Sequence, residues 1–500
     1  MRLTTAQMDR AAGVLLGQAV GDALGVPYEF ATPPASGERA QMRGGGLGNC
    51  APGEWSDDTQ MAVCIADVAA EGLDLTTSTG LDEIAAGFVR WYRWGPPDIG
   101  LQTSAVLGSS ARTLDVRRDH AAEVLTAAAG GYARHTPRSA GNGALMRTSV
   151  VALASLDDRD RTAQAARAIA RLTHHDELAA DSCVLWSEAI RVAVLEAGFD
   201  FHAGIDLLPA ERRSQWSDWV DEALTKPPTT FTPNGYTVTA LQAAVAAIAQ
   251  TDVPPHVPEH GSFECLHLQG SLHAAIRIGN DTDTVAAIAG GLLGARWGAS
   301  AIPWHWRRKV HGWPGRRARD LVALATRAVT GGRDDDQGWP TCERMQYDEP
   351  ATSSVVPHPF DEHVLLGTMR STDHHATAVV SMCRVGTRDH DRIEEENRVE
   401  SRLMDSSEPT RNPNLHFTLF DIADAIRGLR EEGHTVLVHC VAAQQRTPSA
   451  AVAYAVLLGH DPAEAQRAVR NAVSSTRGHG RVWDAAAEVR SSDSHRQDFT

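Results

Sequence analysis

Two short acidic stretches constrain this 500-residue chain more than any other feature of its sequence. The first is Ser56-Asp57-Asp58-Thr59, and the second is Asn280-Asp281-Thr282-Asp283-Thr284. Apolar residues follow each stretch at the i, i+3, i+4, i+7 spacing of a helix that faces a core. We therefore expect two core-facing helices whose acidic N-terminal ends project from one hydrophobic core.

Carboxylates are common at helix N-termini, because free backbone N–H groups and the helix dipole favour negative charge there. Four carboxylates brought together would nevertheless repel one another unless a divalent cation neutralised them. A set of ligands made only of oxygen atoms suits Mg²⁺ or Mn²⁺ better than zinc. Both interpretations, helix capping and metal binding, follow from the same residues.

The acidic composition limits the possible partners. The chain has 63 Asp plus Glu and 47 Lys plus Arg, a formal net charge of −16, which argues against a general nucleic-acid or anionic membrane surface. No uncharged apolar run is long enough to span a bilayer, and the N-terminus lacks the apolar core of a signal peptide. Seven cysteines without a CxxC pair fit reduced thiols. We therefore expect a cytoplasmic protein with no membrane partner.

The first two thirds of the chain has the pattern of an all-α domain. A first helix at 6–26 ends in small residues that would let another backbone or a ligand approach closely. Asp22 in that segment is interpreted as a cap for neighbouring N–H groups. Further helical patterns follow, without the alternation typical of strands, at 82–94, 102–114, 120–129, 144–154, 162–172 and 179–197. We expect this domain to span residues 1–330, to fold independently, and to be followed by a linker at 331–357.

Several motifs in this region resemble, in order, those of the ADP-ribosylglycohydrolase family. They run from Gly17 to Phe30, Trp55 to Thr59, Gly141 to Arg147, Thr173 to His174, and Gly279 to Thr284. The resemblance implies an all-α fold in which two divalent cations, Mg²⁺ or Mn²⁺, lie between the acidic motifs beside ADP-ribose. It implies the metal ligands Ser56, Asp57, Asp58, Asp281, Asp283 and Thr284. Ser56 replaces the usual Thr and keeps the hydroxyl, and Asn280 replaces a Gly but tolerates a left-handed backbone.

The same resemblance implies roles for further residues. Asp57, Asp58 and Asp283 are expected to be catalytic, and Glu29 to act as a gate and acid/base on a flap, although a loop glutamate is more commonly just solvated. The residues implied in substrate binding are Gly141, Asn142, Gly143, His174 and Tyr236. From the residues alone, the glycines also suit a helix-initiating turn, His174 a partner for a helix dipole, and Tyr236 a packing contact on the following helix.

From residue 358 to residue 490, short β-type runs alternate with helical patterns, which predicts a smaller α/β domain. One strand runs into Cys440, and Thr447-Pro448 then supply an N-cap and an N1 proline for a helix. Loop N–H groups and this helix N-terminus would attract an anion, Arg446 could clamp phosphate oxygens, and the same field favours the Cys440 thiolate. The polar tail at 491–500 is expected to be disordered.

The segment from His439 to Thr447 resembles the loop of cysteine-dependent protein phosphatases, especially the dual-specificity kind. The resemblance implies a phosphorylated substrate, with Cys440 as nucleophile, Arg446 as phosphate binder, Thr447 as the hydroxyl that assists the leaving thiolate, and Asp405 as general acid. Asp405 also suits an ordinary loop position before a helix. Ala443 stands where these phosphatases have Gly, and a left-handed Ala would cost about 1–2 kcal/mol. A phosphate-binding pseudo-enzyme and a buried structural cysteine therefore stay open as alternatives.

Together these features predict a metal-dependent hydrolase that removes ADP-ribose from a protein side chain or a small conjugate, with an appended phosphatase-like module. The alternative is a sensor that binds ADP-ribose or phosphate, in which one or both domains are inactive. The sequence leaves open which ADP-ribosyl bond is cleaved.

Overall fold

The structure is a computed structural model that describes residues 2–114, 120–349, 351–372 and 374–490. The tail at 491–500, predicted to be disordered, lies outside the described residues. Up to Thr330 the described chain is helical apart from a small hairpin, and we call this the helical part. Its helices are α1 (Thr5–Gly25), α2 (Asp57–Ala70), α3 (Ser78–Trp94), α4 (Leu101–Leu114), α5 (Ala121–His135), α6 (Arg159–Arg171), α7 (Glu177–Glu196), α8 (Ala210–Thr225), α9 (Thr237–Ala249), α10 (His267–Arg277), α11 (Thr282–Trp297), α12 (Trp304–Lys309) and α13 (Ala318–Thr330). The hairpin pairs β1 (His311–Gly312) with β2 (Arg316–Arg317).

One predicted helix differs from the structure. The segment 144–154 forms two short 3₁₀ helices, Asn142–Ala144 and Ser149–Ser155, instead of one α-helix. The β-branched residues Thr148, Val150 and Val151 lower the helix propensity of this segment. The irregular backbone between the two turns carries Arg147, whose side chain is fully buried.

The helices α1 and α11 are in direct backbone contact. Glycines four residues apart on α1 face α11, and a Cβ added at Gly17 or Gly21 would lie 2.3 Å from Gly290 O or 2.0 Å from Ala286 O. A Cβ at Gly25 would lie 2.4 Å from Asp283 Cα. Because only glycine leaves room for this approach, the small residues of α1 bring its C-terminal end against the acidic start of α11.

The second part, which we call the sheet part, is an α/β unit, as predicted. Its five strands stand in the order β3-β4-β7-β5-β6, with β3 antiparallel to β4 and the others parallel. The strands are β3 (Val356–His358), β4 (Asp361–Thr368), β5 (Ala378–Ser381), β6 (Arg398–Glu400) and β7 (Val436–Cys440), and the helices are α14 (Leu415–Glu431), α15 (Arg446–Leu457), α16 (Pro462–Ala472) and α17 (Arg481–Ala486). Cys440 therefore ends the central strand at the carboxyl edge of the sheet, where ligands of parallel sheets commonly bind.

The helical and sheet parts share a continuous hydrophobic core. Asp421 on α14 accepts a hydrogen bond from the Trp304 backbone N–H at 2.7 Å and pairs with Arg307 at 2.9 Å. The Phe263 ring lies 5.7 Å from Phe417 and 5.8 Å from Phe420, measured between centroids. The two parts are therefore packed together as a protein interior is packed, with buried polar groups paired across the contact.

The segment predicted to be a linker, 331–357, has no helix, and β3 begins at its end. It nevertheless packs on the sheet part: the Met345 backbone N–H donates to Asp389 Oδ2 at 3.0 Å, and Trp339 is buried.

Among the described residues, no helix is both long and apolar enough to cross a bilayer.

Candidate active site

Two groups of three carboxylates meet where α1, α2 and α11 converge. Oxygens of Asp22, Asp58 and Asp283 all lie within 4.8 Å of one another, and so do oxygens of Glu29, Asp281 and Asp283. Asp283 belongs to both groups. This set of hard oxygen donors fits two adjacent divalent cations of the Mg²⁺ or Mn²⁺ type.

The electrostatics of the cluster agree with that fit. Burial, followed by neighbouring carboxylates, raises the pKa values of Asp57, Asp58 and Asp283 well above the usual range for aspartate. Asp58 Oδ1 is buried and has no hydrogen-bond partner among the described residues. Like charges held this close need protons or cations, and an orphaned carboxylate oxygen is suited to ligate a metal.

Asp22 has two roles, of which only one was predicted. Its Oδ1 accepts from the Ser56 backbone N–H and hydroxyl, both at 2.8 Å. Its Oδ2 accepts from the Thr59 backbone N–H at 3.0 Å and hydroxyl at 2.6 Å. The capping role inferred from the sequence is therefore confirmed. Its membership of a carboxylate group was missed, because the sequence separates it from Asp58 by a long loop.

The predicted metal ligands are not all equivalent in the structure. Asp58, Asp281 and Asp283 belong to the two carboxylate groups, whereas Asp57 lies outside both and its charge contributes to the raised pKa values of Asp58 and Glu29. The Ser56 hydroxyl donates to Asp58 Oδ2 at 2.8 Å. The Thr284 backbone N–H donates to Asp283 Oδ1 at 3.0 Å, which places Thr284 beside the cluster.

Asp281 is held by two asparagines, one of which the sequence analysis missed. Asn142 Nδ2 donates to Asp281 Oδ2 at 2.7 Å, and the Asp281 backbone N–H donates to Asn234 Oδ1 at 3.0 Å. Asn234 is fully buried and also donates to Gly279 O at 3.1 Å. Its position just before the predicted Gly235-Tyr236 loop was the available signal.

The loop that carries Glu29 is tied to the second acidic motif. Asn280 has a φ of 61°, the left-handed conformation expected for it, and its carbonyl accepts from the Phe30 N–H at 2.7 Å. Asp98, which the sequence analysis missed, shares a hydrogen bond with the Glu29 carboxyl. Burial, with Asp98 as the next cause, raises the pKa of Glu29 to about 9, so Glu29 and Asp98 hold a proton between them at neutral pH in the metal-free protein.

His174 lies beneath the glycine loop, and its hydrogen bonds determine its tautomer. Arg147 Nη2 donates to Thr173 Oγ1 at 2.7 Å, and Thr173 Oγ1 lies 2.8 Å from His174 Nδ1. A guanidinium can only donate, and the hydroxyl hydrogen has no other acceptor among the described residues, so it points to Nδ1 and leaves the imidazole proton on Nε2. Burial, followed by Arg147, lowers the pKa of His174 to about 3, so the ring is neutral.

The glycine loop borders this imidazole directly. A Cβ added at Gly141 would lie 3.5 Å from His174 Nε2, and one at Gly143 would lie 3.2 Å from it. The loop also pairs with the segment before α9, since Asn142 N–H donates to Gly235 O at 3.1 Å. Tyr236 follows in that segment with 40% of its surface exposed. The structure thus brings together the predicted substrate-binding residues 141–143, 174 and 236.

The Cys440 loop lies between β7 and α15, apart from the acidic cluster. Cys440 is 3% exposed, and Ala443 has a φ of 50°, so the left-handed conformation suspected from the sequence is present. Thr447 Oγ1 donates to Gly367 O at 3.4 Å. The left-handed alanine is a strained element of the loop.

The other predicted members of this second site are arranged around that loop. Arg446 Nη1 donates to Met382 O and Leu403 O, so its guanidinium is engaged by backbone carbonyls. Asp405 pairs with Arg477 at 3.3 Å, and Arg477 Nη2 donates to Gln444 Oε1 at 3.0 Å. Arg477, missed in the sequence, therefore links Asp405 to the loop after Cys440.

The chain is similar in sequence to several known proteins. The chain is 29% identical over 309 residues to the "ADP-ribosylarginine hydrolase Tri1" of Pseudomonas putida (strain GB-1), which covers 61% of this chain and 74% of that protein. It is 28% identical over 313 residues to the "ADP-ribosyl-[dinitrogen reductase] glycohydrolase" of Rhodospirillum rubrum, which covers 60% of this chain and 90% of that protein. A solved chain titled "ADP-ribosylglycohydrolase-related protein complex" is 27% identical with a TM-score of 0.48, covering 66% of this chain and 100% of its own length.

The family model described as ADP-ribosylglycohydrolase matches residues 3–337, which include both acidic motifs, the glycine loop and His174. The match ends before the first strand of the sheet part. The chain therefore belongs to the ADP-ribosylglycohydrolase family.

Proposed function

We propose that this protein uses two divalent cations, Mg²⁺ or Mn²⁺, to hydrolyse the bond between ADP-ribose and a protein side chain or a small conjugate. The strongest support for the proposal is that Asp283 belongs to both groups of three carboxylates, so two cation sites would lie side by side. Arginine is the side chain that we expect, since one relative is named for ADP-ribosylarginine.

Bound at these carboxylates, divalent cations would supply the positive charge that orients the ribose hydroxyls and a water molecule. The chain's own groups then divide the remaining work. Glu29, which belongs to the second carboxylate group and shares a hydrogen bond with Asp98, is the chain's own candidate for accepting or donating a proton at the reacting bond. His174 presents its Nε2–H as a fixed donor for a ribose or phosphate oxygen.

The test is turnover of ADP-ribosyl-arginine by the full-length protein, with released ADP-ribose detected by mass spectrometry. We expect product with Mg²⁺ or Mn²⁺ and none after chelation. Asp283→Asn should abolish both turnover and cation binding, because it weakens both carboxylate groups at once. Asp218→Asn, at an exposed position on α8, is the matched control and should leave turnover unchanged. Tight binding of ADP-ribose without product would support the sensor alternative instead.

A second function concerns the sheet part, for which we propose a cysteine-dependent phosphatase-like module. Two positions and one set of contacts support it: Cys440 ends the central strand, Arg446 begins α15, and Arg477 links Asp405 to Gln444. To bind a phosphate, Arg446 would have to release the carbonyls of Met382 and Leu403 and donate to phosphate oxygens instead. This exchange is favourable because a guanidinium forms stronger hydrogen bonds with a doubly charged anion than with neutral carbonyls. The pseudo-enzyme alternative is favoured by the strained Ala443.

Alkylation by iodoacetamide separates activation of Cys440 from simple exposure. Cys342 is half-buried, whereas the other six cysteines, including Cys440, are buried, so exposure alone would make Cys342 react first. If the loop activates Cys440, that thiol should be labelled ahead of Cys342 and phosphate should protect it. Ala443→Gly should remove about 1–2 kcal/mol of strain and raise hydrolysis of a phenyl phosphate substrate. Labelling of Cys440 with no turnover in either protein would indicate a phosphate-binding pseudo-enzyme.

A further inference from the structure

A cavity of about 350 Å³ lies against α10, and none of its lining residues belongs to the acidic cluster or to the Cys440 loop. Its walls are the 37–39 loop, the turn at 260–262 and one face of α10. The residues that α10 contributes include Gln269, His273 and Arg277. They are four residues apart and therefore share one face of the helix.

The charge of this cavity is unusual for such an acidic chain. Of the residues that the structure describes, two arginines (Arg39 and Arg277) and two histidines (His260 and His273) line it, and no aspartate or glutamate does. The whole chain has 63 Asp plus Glu and 47 Lys plus Arg, so a cavity wall with an excess of basic side chains differs from the average composition of the protein. Cationic side chains and neutral donors in one wall favour an anionic ligand over a cationic one.

Hydrogen bonds within the wall show which donors are presented. The Ala40 backbone N–H donates to His273 Nδ1 at 3.2 Å, and since an N–H cannot accept, the imidazole proton must be on Nε2. Nε2 has no partner among the described residues, and His273 is 7% exposed. Burial, followed by Arg39 and Arg277, lowers the pKa of His273 to about 3, so the ring is a neutral donor.

Arg277 carries a charge that no carboxylate of the described residues neutralises. Its Nη2 donates to Glu38 O at 2.9 Å, and its Nε is buried without an acceptor. Within the part of the chain that the structure describes, no carboxylate lies at ion-pair distance from its guanidinium. Gln269, 8% exposed, offers an amide one turn away from His273 and makes no hydrogen bond with the described residues. The Arg277 guanidinium and two donors without partners among the described residues therefore lie on one helix face, where they can donate to an acceptor-rich ligand in the cavity.

We propose that this cavity binds the phosphate group of a small molecule, through Arg277, His273 and Gln269 on α10. Guanidinium groups and N–H donors match the several acceptor oxygens of a phosphate. The volume exceeds that of one phosphate ion and lies at the lower end of the range for small-molecule sites, so the ligand carries a small organic body or a second phosphate.

Such a ligand would connect two segments that lead to the acidic cluster. The 37–39 loop continues from the segment that carries Glu29, and α10 ends two residues before Gly279. Arg277 and His273 already hydrogen-bond to Glu38 and Ala40 across the cavity. A bound phosphate would add contacts between the same two walls and stabilise the folded protein by mass action.

The test is calorimetric titration of inorganic phosphate, pyrophosphate and ribose 5-phosphate into full-length, metal-free protein. Arg446→Met is introduced as background, so that the Cys440 loop has lost its anion clamp, and without metal the carboxylate cluster repels phosphate. We expect one saturable site in this background. Arg277→Gln should weaken it about tenfold or more, and Gln269→Leu should weaken it less. Tighter binding of ribose 5-phosphate than of inorganic phosphate would identify a phosphate ester as the ligand, and equal binding would identify free phosphate.

An exposed arginine on α4 provides the matched control, since Arg112→Gln removes one positive charge without touching the cavity. Melting temperatures without phosphate show whether the Arg277 and Gln269 variants are folded. The proposal is overturned if the background protein takes up no phosphate, or if Arg277→Gln and Gln269→Leu, both folded, bind all three anions as the background does. These outcomes are independent of ADP-ribose hydrolysis.

Discussion

Thr173 illustrates how one buried hydroxyl determines what a neighbouring histidine offers to a ligand. Its oxygen accepts from Arg147, so its hydrogen is directed to His174 Nδ1. The opposite tautomer would leave a buried hydroxyl hydrogen without an acceptor, at a cost of about 1–3 kcal/mol. Arg147 and Thr173 are therefore positioning residues that fix the Nε2–H donor of His174 under the glycine loop.

Thr173→Val should remove this control while keeping the side-chain shape. We expect the KM for ADP-ribosyl-arginine to rise about tenfold with a smaller change in kcat, because a ligand contact is weakened. Thr173→Ser restores the hydroxyl and should recover the wild-type KM. The nitrogen NMR shifts of His174, assigned by comparison with His174→Gln, should report loss of the Nε2–H tautomer in Thr173→Val alone. An unchanged tautomer in that variant would contradict the assignment.

At the scale of helices, the α1–α11 contact determines how close the carboxylates come to one another. Asp22 lies in the last turn of α1 and Asp283 in the first turn of α11, and the glycines of α1 allow the two backbones to touch. The sequence predicted both acidic helix starts because each is a contiguous motif followed by helical periodicity. It did not predict the inclusion of Asp22 and Glu29 in the carboxylate groups, or the partners Asp98 and Asn234, because these contacts join residues distant in sequence and depend on how helices and loops pack.

Gly21→Ala tests this contact. The new Cβ would lie 2.0 Å from Ala286 O, a backbone atom that cannot move alone, so the two helices must separate. We expect a loss of about 1–3 kcal/mol in unfolding free energy and weaker Mn²⁺ binding, measured by denaturation and calorimetry. Gly198→Ala is the control, since nothing lies within 4 Å of the added Cβ. Equal cation affinity in both variants would show that the helix contact does not set the carboxylate spacing.

At the scale of the whole molecule, the buried carboxylates make stability depend on both pH and metal. Burial raises the pKa of Glu29 from its ordinary 4.5 to about 9, so the folded state binds a proton more tightly than the unfolded state between these values. The stabilisation is complete below the lower value and is lost as pH rises through the upper one. Divalent cations bound at the same oxygens would replace those protons.

The melting temperature of the metal-free protein should therefore fall as pH rises from 6.5 to 9, and the increase caused by Mn²⁺ should become larger over the same range. This interval avoids His174, whose lowered pKa affects stability only at lower pH. Thermal melting with and without Mn²⁺ measures both effects. Asp283→Asn should reduce the pH dependence of the cation effect, and an identical Mn²⁺ shift at every pH in the wild type would contradict cation binding at the buried carboxylates.

The contact between the helical and sheet parts has the character of a domain interior. Trp304 donates from both its backbone N–H and its indole Nε1 to carboxylates of α14, Asp421 and Asp424, and a Cβ at Gly428 would lie 2.5 Å from its ring. Ion pairs also join the two parts at the edge of this contact, as between Arg308 Nη1 and Glu432 Oε1 at 2.7 Å. The sequence predicted a linker because 331–357 lacks apolar periodicity, but it could not reveal that α12 and α14 face each other.

A fragment that ends at residue 330 would expose Phe263 and Trp304 and leave Arg307 without its carboxylate. We therefore expect it to be less stable than the full chain and to aggregate, contrary to the independence suggested by the linker. In the full-length protein, Asp421→Ala removes the acceptor of the Trp304 N–H and leaves the largely buried Arg307 guanidinium without a carboxylate, at a cost of about 3 kcal/mol. Asp421→Asn keeps an acceptor oxygen and should cost less, whereas Asp218→Asn should cost nothing. If the fragment melts at the same temperature as the helical part of the intact protein, the two parts are thermodynamically separate and the shared core contributes no coupling between them.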